Sequence, residues 1–85
     1  MYRLITHDQA REQVATLAAE ALPGYAETLG VMKLVPWNSK PLNEANPDRP
    51  VRQLVFGPGG YGLVTYLIME RDRRVDVLEV QWAGE

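Results

Sequence analysis

The sequence predicts an α+β domain, with a helical hairpin on one face of a mainly antiparallel four-stranded sheet and the chain order β-α-α-β-β-β. Three observations lead there. An apolar stripe at helical spacing runs from Ala10 to Ala21. Three β-prone runs follow residue 50. A glycine-rich turn, Gly57-Pro58-Gly59-Gly60, separates the first two of them.

Tyr2-Arg3-Leu4-Ile5 is a short β-prone run. Thr6 stands three residues before Gln9, the spacing of a capping box, and Asp8 adds negative charge at the expected helix start. Ala10, Val14, Leu17, Ala18 and Ala21 then fall on one helical stripe, with Arg11, Glu12, Thr16 and Glu20 opposite. Pro23-Gly24 is expected to end this helix and form the corner. A second helix follows over about 25–35, with Tyr25, Leu29 and Met32 on one face and Gly30 weakening its interior.

Residues 36–50 contain four prolines and three asparagines and read as a long loop, with Trp37 and Leu42 as its expected anchors. Val51–Phe56 alternates as a strand. Leu63–Met69 is almost continuously apolar, the pattern of a central strand covered on both faces. Val75–Trp82 places Val75 and Val77 on one face and Leu78, Val80 and Trp82 on the other. The polar turn 70–74 joins the last two strands. The amino-terminal strand must pair with one of these three, so a long-range contact completes the sheet.

The glycine-rich turn is not a phosphate cradle. Such a loop delivers its amides to a helix N-terminus and is often followed by Lys, whereas a β-run follows here and no Lys is near. Pro58 then Gly59 fits a type II hairpin turn, which needs φ above zero at its third position.

Eighty-five residues make a single domain spanning 1–85. The absence of cysteine excludes disulfides, thiolate zinc sites and a cysteine nucleophile, and no metal or cofactor is expected. No apolar run approaches the ~18–20 residues of a membrane span, and the start MYRLITHDQ lacks a signal-peptide pattern, so a cytoplasmic chain without membrane contact is expected. Nine Lys and Arg against eleven Asp and Glu leave a net charge of −2, which gives no long-range help to nucleic-acid binding.

The chain resembles the RelE/ParE superfamily, the toxins of type II toxin–antitoxin pairs. The resemblance rests on the element order and on V-R-Q-L-V-F-G (Val51 to Gly57), G-Y-G-L-V-T-Y (Gly60 to Tyr66) and V-D-V-L-E-V (Val75 to Val80). It implies a growth inhibitor held in a complex by a cognate antitoxin. RelE-like members of the superfamily cut mRNA on the ribosome, whereas ParE-like members bind DNA gyrase. The Arg that RelE-like nucleases carry in their G-Y-R-L-V-Y strand corresponds here to Gly62, and the end Gln81-Trp82-Ala83-Gly84-Glu85 offers no base or cation. The resemblance therefore points to an inhibitor that acts by binding. The alternatives are an mRNA endonuclease and a non-toxic interaction module of the same fold.

If the chain cuts RNA, Arg52 is the expected transition-state cation, with Tyr61 or Tyr66 stacking a base. Arg52 otherwise forms an edge ion pair or contacts the antitoxin or target. Tyr25 and Met32 either pack the core or line a groove for an antitoxin helix. Arg73 and Arg74, with Arg71, form a binding cluster or a solvated hairpin tip. Trp82 closes the core or anchors an interface. His7, the one histidine, reads as a solvated residue at a helix start.

Overall fold

The computed structural model describes residues 1–43, 45 and 49–84. Residues 44 and 46–48 of the predicted loop, and the carboxy-terminal Glu85, lie outside the described residues. Strand β1 (Arg3–Thr6) leads into helix α1 (Asp8–Ala15) and, through a 3₁₀ turn at Ala19–Ala21, into helix α2 (Leu22–Leu34). Strands β2 (Lys40–Pro41), β3 (Val51–Phe56), β4 (Gly62–Met69) and β5 (Arg74–Trp82) follow. The sheet order is β1-β5-β4-β3-β2, with β1 parallel to β5 and every other pair antiparallel. The predicted fold class holds. The fifth strand is the two-residue β2, contributed by the predicted loop. Among the described residues, no helix is long and apolar enough to cross a membrane.

The corner between the helices lies earlier than expected. Helix α1 stops at Thr16, whose hydroxyl bonds back to the Gln13 carbonyl at 3.1 Å and so competes with continuation of the helix. Pro23 falls in the first turn of α2, where a missing N–H costs nothing. Gly24 instead serves packing: a Cβ there would lie 2.6 Å from the Gly57 backbone nitrogen, so the glycine lets α2 touch the end of β3. The Thr6/Gln9 capping box does not form. His7 is the N-cap and makes no side-chain cap bond, and the Gln9 amide reaches Glu79 at 3.5 Å.

Both helices pack on one face of the sheet, around Met32, Val64, Tyr66, Val75 and Val77, all fully buried. β4 alternates strictly between buried and half-buried residues, so it is central but covered on one face only, unlike the two-sided burial its apolar run predicts. A bulge corrects the reading of β5. Tyr66 pairs with Val77 but Thr65 pairs with Glu79, and the extra residue turns Val75, Val77, Val80 and Trp82 all toward the helices. α1 runs along β5 beyond the end of β1, where the Gln13 side chain accepts the Val80 backbone N–H at 2.6 Å in place of a neighbouring strand. The turn at 57–60 is type II as predicted, with Gly59 at φ 70° and ψ −1° and the Gly60 N–H bonded to the Gly57 carbonyl at 3.1 Å.

Candidate functional site

Side-chain parity across the register divides the functional candidates between two surfaces. On the face away from the helices, β4 presents Leu63, Thr65, Leu67 and Met69, while β3 presents Val51, Gln53 and Val55. None of these is charged. Two cations of this open face lie at its β1–β5 end, where Arg3 stands opposite Arg74 in the parallel register, and Lys40 of β2, opposite Gln53, stands at the other edge. Cations therefore stand at both edges of this face and not along β3 and β4.

His7 continues the parity of Arg3 and Ile5 and reaches Asp76 on β5, with Nε2 3.0 Å from Oδ2. Arg74 donates from Nε to the other carboxylate oxygen at 2.8 Å, and its Nη2 lies 2.8 Å from the Met69 sulfur. Asp76 is only 7% exposed, although it faces away from the core, because His7 and Arg74 cover it. Burial pushes its carboxyl up, but the hydrogen bonds from His7 and Arg74 outweigh this and hold it below its ordinary value. A carboxylate accepts only, so His7 donates through Nε2, and among the described residues nothing bonds to its Nδ1, an acceptor in the neutral ring. The histidine side chain is 45% exposed and can meet a ligand. This base held by a buried carboxylate that Arg74 also pairs with is the arrangement the solvated-residue reading of His7 missed. Its signal was the alternation Arg3, Ile5, His7, which became meaningful only once β1 lay beside β5.

The nuclease candidates do not assemble. Arg52 pairs with Tyr66 across β3 and β4 on the helix side, donates to the Ser39 carbonyl at 3.0 Å and lies 4.9 Å from the Trp37 ring centre. It pins the loop rather than facing the open surface. Tyr66 is fully buried, and its hydroxyl donates to the Pro36 carbonyl at 2.7 Å and contacts Ser39 Oγ at 2.6 Å, so it cannot stack a base. Tyr61 is 57% exposed but sits five residues before Tyr66, about 16 Å away along an extended chain. Gly62 faces the helices, and a Cβ there would stand 2.6 Å from the Phe56 ring. No side chain at that position can serve the open face.

The antitoxin candidates also separate. Met32 is fully buried and Tyr25 nearly so, both between α2 and the sheet, so they pack the core and present no groove to a partner. Trp82 is half-buried, stacks on Phe56 at 6.3 Å and closes that end of the core. Leu42 is 54% exposed, and its backbone N–H bonds to the Val51 carbonyl. The arginine run divides as well. Arg74 turns to Asp76, whereas Arg73, held in the left-handed region at φ 49°, turns to Glu70.

Glu70 organises a second cluster. Its Oε1 accepts from the Tyr2 hydroxyl at 2.5 Å and from Trp37 Nε1 at 2.8 Å, and its Oε2 from Arg73 Nη1 at 2.7 Å. These bonds, from Tyr2 first, then Trp37 and Arg73, hold the Glu70 carboxyl at about 2. Because the folded value lies below the ordinary 4.5, ionised Glu70 supports the fold above that pH, and the support is lost as pH falls from 4.5 towards 2. Glu70→Gln is expected to flatten the acid limb of urea-denaturation stability across that window; an unchanged limb shows the cluster contributes nothing. Beside the cluster lies a groove of about 470 Å³ walled by Leu34, Val35, Pro36 and Trp37. A second hollow, of about 290 Å³, lies between α2 and β3. Among the described residues, no three His, Asp or Glu side chains are placed to hold a metal ion.

No protein-family model and no curated protein matches the sequence. Solved structures do match. A chain of the intact E. coli RelBE toxin–antitoxin complex superposes with a TM-score of 0.74 at 17% identity, over 100% of both chains. The isolated E. coli RelE toxin matches with a TM-score of 0.78 at 14% identity, over 100% of this chain and 87% of that one. A chain of the archaeal RelE–RelB complex from Pyrococcus horikoshii OT3 gives 0.65 at 18%, over 99% and 97%. The helical hairpin, the parallel β1–β5 pair and the antiparallel remainder of the sheet together are the fold of the RelE toxins.

Proposed function

We propose that this chain is the toxin of a toxin–antitoxin pair, a growth inhibitor neutralised by a cognate antitoxin, which acts by binding its cellular target in the ParE-like manner. The observation that carries this reading is the full-length likeness, end to end on both sides, to a chain of a toxin–antitoxin complex. Binding without RNA cleavage is supported by the uncharged open face of β3 and β4 and by the net charge of −2. Inducing the chain alone in a bacterium is expected to arrest growth, and co-expression of the antitoxin to relieve the arrest. Harmless expression rejects the toxin reading and leaves an interaction module of the same fold.

The His7–Asp76 pair favours a second reading, an mRNA endonuclease. His7 Nδ1 would accept the proton of an RNA 2′-hydroxyl as its oxygen attacks the adjacent phosphorus. The bond to the 5′-oxygen breaks, leaving a 2′,3′-cyclic phosphate and a 5′-hydroxyl once that oxygen takes up a proton. Asp76 holds the ring, and Arg74, bonded to the same carboxylate, supplies a positive charge beside it. Primer extension on cellular mRNA separates the two readings. New ends after induction reject binding alone, and on the nuclease reading His7→Ala lowers their yield about 10²–10⁴-fold.

A further inference from the structure

We infer that the groove between the end of α2 and the β4–β5 turn is a docking site for a partner-protein segment that presents an aliphatic or aromatic side chain next to an Asp or Glu. The inference rests on the toxin–antitoxin reading for the partner's identity and on the groove alone for its chemistry. Leu34, Val35 and Trp37 are 64%, 51% and 37% exposed, and all three line this one cavity of about 470 Å³. Exposed apolar side chains elsewhere, such as Val55, Tyr61 and Leu22, lie on other elements. Contiguous apolar exposure of this kind marks an interaction site, whereas single exposed residues are ordinary.

The wall is rigid before anything binds. Tyr2, Trp37 and Arg73 all bond to Glu70, and the Arg73 guanidinium lies 4.2 Å from the Tyr2 ring centre. Trp, Tyr and Arg are the side chains enriched at binding hot spots, and a locked pocket loses little entropy on binding. The hydrogen-bonding capacity left over selects the occupant. The Glu70 carboxylate already accepts three bonds. Arg73 spends Nη1 on Tyr2 and Glu70, and among the described residues its Nε and Nη2 donate to nothing. An arginine has five N–H donors and no acceptor, so the unmet demand in the groove is for an acceptor, and a carboxylate satisfies it best. Lys33, exposed in the last turn of α2, adds a second positive charge nearby. A nucleobase fits less well, since among the described residues of the lining the Tyr2 hydroxyl and Trp37 Nε1 already donate to Glu70, which leaves Asn38 as the uncharged polar side chain to read its edge.

The test is selection of random peptides displayed on phage against the intact chain, followed by affinity measurement of the enriched peptides. The expected peptides carry an aliphatic or aromatic residue beside an acid. Their binding should fall roughly tenfold or more in Leu34→Asp, which places a like charge on an exposed wall position, and in Arg73→Gln. It should be unchanged in Val55→Asp, whose site lies on β3 beside the other hollow. Leu34 is mostly exposed, so that variant is expected to keep the wild-type melting curve; Val35→Asp serves if it does not. No enrichment, enriched peptides without acids, or binding that survives Leu34→Asp and fails in Val55→Asp overturns the inference. Growth arrest is scored separately: a chain harmless on induction rejects the toxin reading, while the peptide result still decides the groove.

Discussion

Gly62→Arg, the change that restores the cation of the G-Y-R-L-V-Y strand, is expected to unfold the protein rather than to confer cleavage. Gly62 pairs with Phe56 on one side and Trp82 on the other, and the space a Cβ needs is held by the Phe56 ring at 2.6 Å. That ring cannot swing aside, because Tyr25 meets it edge-on at 5.5 Å and Trp82 stacks on it at 6.3 Å. Overpacking costs about 1–3 kcal/mol, and an unpaired charge driven into the same space adds several more. A domain of this length has roughly 4–13 kcal/mol in total. Urea denaturation should show a collapsed midpoint or no folded baseline. Leu63→Arg, one residue on and facing outward, is the control and should fold normally. A Gly62→Arg protein with the wild-type midpoint would show that the residue does not face the helices.

Met32→Ala is expected to cost about 2–5 kcal/mol, the range for truncating a fully buried methionine, without altering a partner's affinity for the folded fraction. Met32 sits between α2 and the sheet in the same cluster as Tyr25, Tyr66 and Val77, so the truncation leaves a cavity that the helix can close only by moving against β3. Thermal melting gives the stability change, and titration of a selected peptide below the melting range gives the affinity. A large affinity loss with unchanged stability would return Met32 to the binding surface.

Much of the fold was legible because it is local. Alternation marks Val51–Phe56, a Pro-Gly pair sets a type II turn, and three- and four-residue spacing marks helices; each signal lies within a few residues of its consequence. The misplaced corner shows where this reasoning stops. Pro23-Gly24 is a breaker in most contexts, yet proline is welcome in a first helical turn, and Gly24 is used for contact with Gly57, far along the chain. The candidate site was less legible for the same reason. Arg52 and Tyr66 have the residue types of an RNA site, but parity turns both toward the helices.

The sequence by itself determined the fold class, the hairpin turn at 57–60 and the lack of thiol chemistry, since these depend on residue type and near-neighbour spacing. Only the tertiary structure decided that β1 lies parallel to β5, that a bulge at Thr65–Tyr66 reverses the faces of β5, and that His7 meets Asp76 across sixty-nine positions of chain. Strand register is chosen by the summed burial of a whole face, and a shift of one residue exchanges inside for outside. No local pattern carries that choice, and the open face with its charged edges is its product.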